Sequence, residues 1–548
     1  MPTVTLNKRV FEELVGKTLP LEELKERISM LGTDLEGIEG EEITVEIFPN
    51  RPDLLSEQGF ARAFSSFIGV KKGLRNYEIK KSGHKVIVDP SVTMRPYTAC
   101  AIVKNIEFDD EKIREIMQIQ EKLATTHGRN RKKSGYGIYP STKINFPVTY
   151  IAKDPQEVKF TPLGFAEVMT AEEIAETHPK AKEYQSIAKD WKKYPFFIDA
   201  QQNILSMLPY TNSQDTGKID LSTKDIFIEC SGTDLHNVQV ALNILVTMFA
   251  DMGGEIYSLE MEYPDQSFTT PDLTPARMKL DLPFINGLLG LELKQDEAVE
   301  LLSRMGFGFD EEQHEVLVPV YRDDILHQVD LAEDIAIAYG YENIAEEIPQ
   351  VSTIGEEDPF EKFSNKVREI LIGLGLLEMK NYHLMMESEL TEMMSLTEPA
   401  ISLKNAVGEH NHLRNSLLPS LLKNLRENMH HEFPQDIFEI GKIFIRKNNI
   451  IEITKLSLLL CDHKTDYTKI RQILDALFNS LGLKYQVKEI THDSYILGRV
   501  GEIIINEKSL GIIGEFHPQV LENWDLITPT VAFELNLQEV YDECFRDN

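Results

Sequence analysis

The sequence predicts an α+β protein with several domains. A chain of 548 residues is too long for a single hydrophobic core. Segments with the helical repeat of apolar residues alternate with short β-rich runs. Polar or proline-rich stretches interrupt them at residues 71–85, 269–275 and 348–360. We therefore predict domains at residues 1–88, 89–262, 268–345 and 350–548, and we detect no internal repeat.

The first two domains are predicted to be mixed α/β units. In residues 1–88 the predicted elements are a helix at 19–32, a strand at 41–48 and a helix within 49–69. For the second domain they are strands at 86–90, 98–106 and 226–230 and helices at 111–123 and 237–252.

The third domain is predicted to resemble a helix-turn-helix module. Its elements are helices at 282–290 and 294–306, a hairpin at 307–320 and a final acidic helix.

The fourth domain combines helices with β-rich runs. The helices are predicted at 359–375 and 467–482, and the β-rich runs at 455–461, 498–506, 508–516 and 530–537. A turn through Asn506 and Glu507 joins two of these runs as a hairpin. This favours an antiparallel sheet covered by helices over a doubly wound parallel sheet.

Charge and cysteine content exclude several classes of protein. A net charge of -32 excludes a protein that coats nucleic acid by its overall field, so any RNA contact must be local. Its four cysteines are far apart and form no CxxC motif, which argues against disulfides and a zinc cluster. Neither a signal peptide nor a membrane span is apparent, so we expect a soluble, cytoplasmic protein without membrane association.

One basic run stands out against this acidic background. It contains Arg129, Arg131, Lys132 and Lys133. These side chains could contact phosphate groups, although the run taken alone favours a solvated loop.

Four carboxylates follow the hairpin of the third domain. If their segment is helical, Asp330, Glu333 and Asp334 share one face, and Asp324 lies shortly before it. Such oxygen ligands, without Cys or His, favour Mg²⁺ over Zn²⁺. Acidic side chains in a first helical turn also complement the helix dipole without a metal. Because the chain contains 89 Asp and Glu residues, spacing alone favours the solvated helix start.

Five segments, in order along the chain, carry a family resemblance. They are NRPDLLSEQGFAR at 50–62, FIECSGTDLHNV at 227–238, RDDILHQVDLAEDIAIAYGYENI at 322–344, LRNSLLPSLLKNL at 413–425 and GRVGEIIINEKSLGIIGEFHPQVL at 498–521. Together they resemble the phenylalanyl-tRNA synthetase beta subunit family, in its archaeal and eukaryotic cytosolic form. This resemblance covers nearly the whole chain.

The resemblance implies a role for each domain. It implies an editing domain at 89–262, a B5-like module at 268–345 and a catalytically inactive class II synthetase-like core at 350–548. In the module it implies Mg²⁺ ligands, which favours the metal over the helix start. These ligands are Asp324, Asp330, Glu333 and Asp334.

The resemblance also implies a catalytic partner. The last domain has no recognisable catalytic Arg and Glu set, and Arg414 is expected to anchor an interface. Phenylalanine and ATP would then be bound mainly by an alpha subunit, in an (αβ)2 assembly that acts on tRNA(Phe).

By the same resemblance, the second domain hydrolyses mischarged tyrosyl-tRNA. The implied editing residues are Ser206, Asn212, Glu229 and Ser231. Glu229 would recognise the tyrosine hydroxyl, while the others would hold the ester or orient water. From the residues alone, Glu229 could instead cap a turn, and Asn212 could belong to an ordinary turn.

The chain departs from the family pattern in this domain. Where the family usually has GIHD or GTHD, this chain has GIYP, so that Tyr139 and Pro140 replace His and Asp. An altered substrate path or editing efficiency is expected. Two other functions stay open: a non-enzymatic nucleic-acid-binding scaffold, which the acidic helix disfavours, and a magnesium-dependent hydrolase using the four carboxylates.

Overall fold

The computed structural model describes residues 2–351 and 354–545. They form two compact units, of which the first ends at Ile348 and the second begins at Pro349. Both units mix helices and strands, which confirms the predicted mixed α and β class. Within the described ranges, no helix is both long enough and apolar enough to cross a membrane.

A small module opens the first unit. Its elements are β1 (Thr3–Asn7), α1 (Lys8–Val15), α2 (Leu21–Met30), β2 (Asp34–Glu39), β3 (Glu42–Glu46), a 3-10 turn (Pro52–Leu54) and α3 (Glu57–Phe67). The strands pair in the order β1-β3-β2. Ser56 begins α3 by accepting a hydrogen bond of 3.1 Å from the backbone N–H of Gly59. Because α3 is buried along nearly its whole length, it forms the centre of this module.

A ten-stranded sheet with surrounding helices follows. The elements of this region are β4 (Ile79–Val88), β5 (Tyr97–Lys104), α4 (Asp110–Thr125), β6 (Ser134–Pro140), a 3-10 turn (Ser141–Lys143), β7 (Val148–Lys153), β8 (Lys159–Phe160), β9 (Met169–Thr170), α5 (Ala171–Thr177), α6 (Pro179–Glu183), α7 (Gln185–Ala188), β10 (Tyr194–Ile198), β11 (Ile204–Met207), β12 (Thr211–Asn212), α8 (Gln214–Gly217), β13 (Ile226–Gly232), α9 (Leu235–Asp251), β14 (Glu255–Glu262) and β15 (Ser267–Thr270). The strand order is β12-β11-β10-β7-β4-β14-β5-β13-β6, with β15 paired to β14, while β8 and β9 form a separate pair. The apolar helix α9 packs against β5 and β13 and closes the core on that side.

Strand β4 belongs to this sheet, where it pairs in parallel with β14 and β7. The sequence predicts a domain boundary at residue 88, but these hydrogen bonds place the strand in the second region. Its polar composition resembles that of a linker. The strand can be polar because its lysines pair with glutamates of β14. Lys80 pairs with Glu255 at 2.9 Å, and Lys85 pairs with Glu262 at 2.6 Å.

The first unit ends with a second copy of the opening module. Its elements are β16 (Ala276–Lys279), α10 (Leu282–Leu289), α11 (Gln295–Arg304), β17 (Gly308–Asp310), β18 (Glu315–Val318), α12 (Gln328–Tyr339) and a 3-10 turn (Tyr341–Asn343). Both copies share the order strand, helix, helix, strand, strand, helix, although the 3-10 turn precedes the last helix in the first copy and follows it in the second. The pairing β16-β18-β17 repeats that of β1-β3-β2. An Arg-x-Asp sequence precedes the last helix of each copy, at residues 51–53 and 322–324. This repeat corrects the expectation that the chain has none. Few other residues agree between the copies, so the sequence hides the repeat.

Buried ion pairs accompany the two Arg-x-Asp sequences. Arg51 donates to Asp53 through hydrogen bonds of 2.9 and 2.8 Å, and Arg322 donates to Asp324 through two of 2.8 Å. Arg322 also pairs with Asp334 of α12 at 2.8 Å. The charge of Asp53 acts on Arg322, so the two sequences lie near each other. Because buried charges are stable only when paired, these contacts stabilise the turn before the last helix within each copy.

The second unit contains a seven-stranded sheet. The elements of this unit are α13 (Pro359–Gly373), β19 (Leu377–Glu378), β20 (Leu384–Met385), α14 (Glu387–Leu390), a 3-10 turn (Glu392–Met394), β21 (Ile401–Ser402), β22 (His412–Leu413), α15 (Leu418–Glu427), β23 (Gln435–Arg446), β24 (Ile450–Cys461), α16 (Tyr467–Leu481), β25 (Gln486–Glu489), β26 (Tyr495–Ile505), β27 (Lys508–Phe516), α17 (Pro518–Asn523), β28 (Thr530–Asn536) and α18 (Leu537–Cys544). The order is β19-β23-β24-β28-β27-β26-β25. Its pairs are antiparallel apart from the parallel pair of β19 and β23. The predicted turn joins β26 to β27, with φ of 49° at Asn506 and 65° at Glu507.

Arg414 lies inside the second unit, where it is fully buried. It donates hydrogen bonds to the Glu439 carboxylate at 2.8 Å and to the Lys442 carbonyl at 2.9 Å. Glu439 is itself fully buried. The expectation that Arg414 anchors an interface is therefore wrong, since the buried guanidinium satisfies the Glu439 carboxylate of β23 within the same unit.

We expect the Arg322→Met substitution to lower the free energy of unfolding by about 3–5 kcal/mol, because two buried carboxylates lose their cationic partner. Arg277→Met serves as the control: its pairs with Asp310 and Glu315 involve a half-exposed guanidinium, so a much smaller loss is expected. Urea denaturation, followed by a signal assigned to the first unit, measures both. Equal losses in the two variants would contradict the structural role of the buried pairs.

Candidate functional site

The predicted editing residues lie on neighbouring strands of the ten-stranded sheet. Strands β6 and β13 are antiparallel partners, and their register sets Gly137 opposite Glu229 and Tyr139 opposite Phe227. Strand β11 sets Ser206 opposite Asn212 of β12. Because alternate residues of a strand share a face, Tyr139, Glu229 and Ser231 project to the same side of the sheet.

Tyr139 connects two of the predicted residues. Its hydroxyl donates a hydrogen bond to Glu229 Oε1 at 3.1 Å and lies 3.3 Å from Asn212 Oδ1, a second acceptor. Gly137 leaves the space that this contact requires. A Cβ atom there would lie 2.6 Å from Glu229 Oε1 and still closer to the Tyr139 hydroxyl. Only glycine at this position is compatible with the observed contact.

Burial governs the protonation of Glu229. The side chain is fully buried, and loss of hydration raises its pKa to about 8, although the Tyr139 hydrogen bond and the Arg95 charge act in the opposite direction. At neutral pH the carboxyl group is therefore mostly neutral. A neutral carboxyl group can donate as well as accept a hydrogen bond, which suits recognition of a hydroxyl group.

Several buried polar atoms near Glu229 lack a well-aligned hydrogen bond with the described residues. They are Glu229 Oε2, Ser206 Oγ, Ser231 Oγ and Arg95 Nε. Buried polar atoms are usually satisfied in folded proteins. Their concentration around Glu229 makes this part of the sheet a candidate site.

A cavity of about 310 Å³ lies beside these residues. Its walls include Arg95, Arg131, Tyr136, Tyr210 and Asn212. Of the predicted editing residues, Asn212 lines this cavity, whereas Ser206, Glu229 and Ser231 are fully buried. The four predicted residues thus lie close to the cavity, but among them only Asn212 is accessible from it.

The basic run forms a turn at the mouth of the cavity. Arg129, Asn130 and Arg131 have φ values of 50°, 54° and 61°, a conformation that side chains disfavour and that often marks functional sites. Arg131 lines the cavity, and its guanidinium lies 4.7 Å from the centre of the Tyr184 ring. Within the described ranges, Arg129, Lys132 and Lys133 form no salt bridge. Their charges are therefore available to an anion.

Arg95 is a site residue that sequence reasoning missed. It is almost fully buried and donates to the carbonyls of Arg131 and Ser231, each at 2.8 Å. It thereby ties the basic turn to strand β13. The sequence carries a signal for this role, because Arg95 is a lone cation just before the apolar run at 97–103.

The acidic cluster is partly occupied by internal contacts. Asp330 accepts hydrogen bonds from the backbone N–H groups of Leu326 at 2.7 Å and His327 at 2.6 Å, so it caps α12. Asp324 and Asp334 pair with Arg322. Sequence reasoning did not single out this arginine, although the Arg-x-Asp sequence occurs twice.

Glu333 is the exposed member of the cluster. Loss of hydration, followed by the charges of Asp334, Asp324 and Asp330, raises its pKa above the ordinary value. A bound cation would offset this repulsion, and carboxylates are the donors that Mg²⁺ prefers. However, no three acidic, His or Cys side chains in the described part of the chain converge as a metal site. The donor chemistry fits Mg²⁺, while direct ligation is limited to fewer than the four predicted residues.

Two family models match this chain. One, described as the phenylalanyl tRNA synthetase beta chain CLM domain, matches residues 344–537. The other, described as the tRNA synthetase B5 domain, matches residues 278–341, which lie in the second copy of the repeated module.

Known proteins match over a larger part of the chain. The phenylalanine–tRNA ligase beta subunit of Pyrococcus abyssi is 40% identical, over 99% of this chain and 100% of the relative. That of Archaeoglobus fulgidus is 39% identical over 99% of each chain. The solved N-terminal fragment of the phenylalanyl-tRNA synthetase beta subunit from Pyrococcus horikoshii is 39% identical, with a TM-score of 0.60, and covers 62% of this chain and 100% of the fragment. These matches confirm the predicted resemblance, and the chain belongs to the archaeal type of the phenylalanine–tRNA ligase beta subunit family, part of an aminoacyl-tRNA synthetase.

Proposed function

We propose that this chain joins a catalytic alpha subunit in a cytoplasmic (αβ)2 complex that uses ATP to attach phenylalanine to tRNA(Phe). Its own reaction is the hydrolysis of tyrosyl-tRNA, in an editing domain built on the ten-stranded sheet, which begins with β4 at Ile79. The residues before β4 form the N-terminal domain, and the B5-like module and the class II synthetase-like core lie within residues 268–345 and 350–548. Family membership supports the ligase, and the site around Glu229 supports the editing reaction.

The observation that carries the editing proposal is the buried Glu229, which contacts the same Tyr139 hydroxyl as the cavity residue Asn212. A pocket shaped for phenylalanine rejects tyrosine by only about a hundredfold, because an added hydroxyl is weakly excluded. A second pocket must therefore favour the hydroxyl. Glu229 can exchange a hydrogen bond with it, and phenylalanine would leave the same group unpaired at a cost of about 1–3 kcal/mol.

The other predicted residues have supporting roles in this proposal. Asn212 lies at the cavity wall, where its amide can orient water or the ester carbonyl. The hydroxyls of Ser206 and Ser231 lie next to Tyr139 and Glu229, respectively, without a well-aligned hydrogen bond to them. Attack by water on the ester then releases tyrosine from the tRNA.

The second unit supports placing aminoacylation on the partner. Binding of ATP phosphates requires cationic side chains that are free to reach them. Arg414 is buried and paired with Glu439 of β23, so it cannot serve that purpose. The alternative of a magnesium-dependent hydrolase is also disfavoured, since Arg322 already occupies two of the four carboxylates.

Magnesium would bind at the acidic cluster in a structural role. Because Arg322 pairs with Asp324 and Asp334, we assign direct ligation to Asp330 and Glu333, with retained waters completing the shell. The other two carboxylates would contribute charge to the site. When bound, the cation would offset the mutual repulsion of these carboxylates.

The editing proposal predicts that Glu229→Ala and Asn212→Ala reduce deacylation of tyrosyl-tRNA by at least about a hundredfold and about tenfold, respectively. The measurement uses the complex co-purified with its alpha subunit, and charging of tRNA with phenylalanine serves as the control. Charging should be unchanged in both variants. A parent complex that charges tRNA but never deacylates the tyrosyl product would refute editing in this chain.

The basic turn is predicted to bind phosphates near the 3′ end of the tRNA. Replacing Lys132 and Lys133 by Gln should raise KM for tyrosyl-tRNA about tenfold, leave kcat nearly unchanged and weaken the salt dependence of binding. Lys189→Gln with Lys192→Gln removes the same charge from exposed lysines elsewhere in the domain. If both double variants change KM equally, the effect comes from net charge and not from this turn.

The magnesium proposal predicts a rise in the unfolding temperature of the parent complex when Mg²⁺ is added after chelation. Asp330→Asn combined with Glu333→Gln should abolish most of this rise. Glu311→Gln, an exposed residue in the hairpin of the same module, should preserve it. An equal response in all three proteins would show that the stabilising magnesium binds elsewhere.

A further inference from the structure

Tyr139 stands at the position where this chain departs from the family pattern. Its ring is fully buried and lies 5.9 Å from the Phe227 ring, in the core beneath the site. The register of β6 and β13 holds the phenol against Glu229. Strand pairing and ring packing thus restrain the hydroxyl in two independent ways.

The hydrogen bond from Tyr139 gives the two oxygens of the Glu229 carboxyl group different environments. Oε1 accepts the hydrogen bond from Tyr139, whereas Oε2 has no well-aligned partner among the described residues. Asn212 Oδ1 is a second acceptor near the same hydroxyl, so the three side chains form one network. A carboxyl group with one oxygen fixed can rotate little, and its second oxygen keeps a defined direction.

We propose that Tyr139 is a positioning residue for substrate discrimination: its phenol fixes Glu229 so that one carboxyl oxygen remains to bind the hydroxyl of the tyrosyl group. This inference rests on the proposed editing function. Tyr139 contacts Glu229 and not the substrate. Because Tyr139 stands where the family usually has His, this chain has a hydroxyl at that position that orders the site.

Two measurable consequences follow from removing the hydroxyl by Tyr139→Phe. Without the fixing hydrogen bond, Glu229 can turn away from the substrate hydroxyl, so the preference for tyrosyl-tRNA over phenylalanyl-tRNA should fall about tenfold. The hydrogen bond from Tyr139 also lowers the pKa of Glu229, which burial alone would raise further. In the parent, kcat/KM for tyrosyl-tRNA hydrolysis should fall as the pH rises above about 8, where Glu229 loses its proton. In the variant this fall should therefore occur at higher pH.

The test compares kcat/KM for deacylation of both charged tRNAs, over a range of pH, in complexes with the alpha subunit. Tyr263→Phe is the matched control, because its hydroxyl binds the backbone of Thr98 in the same sheet and does not contact Glu229. Unchanged phenylalanylation shows that each complex is assembled. We expect the fall in preference and the shift of the pH dependence in Tyr139→Phe alone.

The outcomes separate the inference from the function on which it rests. If the parent does not hydrolyse tyrosyl-tRNA, both the editing function and the role of Tyr139 are refuted. If the parent is active, Glu229→Ala is inactive and Tyr139→Phe retains the parental preference and pH profile, the role of Tyr139 alone is refuted. Equal effects of Tyr139→Phe and Tyr263→Phe would indicate a general loss of packing and would also refute it.

Discussion

The removal of carboxyl groups from water is the constraint on which the chemistry of the first unit depends. An ionised carboxylate is costly to bury unless a cation or several hydrogen bonds replace its hydration. The structure meets this requirement in two ways. Asp53, Asp324 and Asp334 remain close to arginines, whereas Glu229 becomes neutral at physiological pH. Pairing yields rigid junctions, and neutralisation yields a group that can recognise a hydroxyl.

The repeated module shows how one scaffold acquires an acidic face in only one copy. When the two Arg-x-Asp sequences are superposed, Gly59, Arg62 and Ala63 of α3 occupy the positions of Asp330, Glu333 and Asp334 of α12. The first copy uses its helix for burial: Arg62 pairs with Asp251 at 2.6 Å and lies over the Tyr321 ring. The second copy leaves Glu333 exposed, with a charge that its neighbours oppose. Equivalent helices therefore serve packing in one copy and a candidate cation site in the other.

The second unit uses buried charge to order its sheet. Glu439 accepts from Arg414, and Glu534 accepts from Ser416, Ser457 and the backbone N–H of Leu417. Each carboxylate satisfies several donors at once, which leaves little capacity for a ligand. This arrangement suits a structural core, and it explains why an isolated arginine in the sequence is poor evidence for phosphate binding.

The sequence by itself determined the local features and the family. Helical geometry places Asp330, Glu333 and Asp334 on one face. The β-rich runs on either side of Asn506 and Glu507 predict the turn there, and five segments in order along the chain indicate the family. The tertiary structure decided which groups meet. Tyr139 reaches Glu229 only through the register of two strands, and Arg322 selects Asp324 and Asp334 only through burial. Strand β4 likewise joins the large sheet through partners far away in sequence. Local patterns record the conformation of neighbouring residues, but register and burial depend on the whole chain, so the chemical state of the candidate site could not be deduced from spacing.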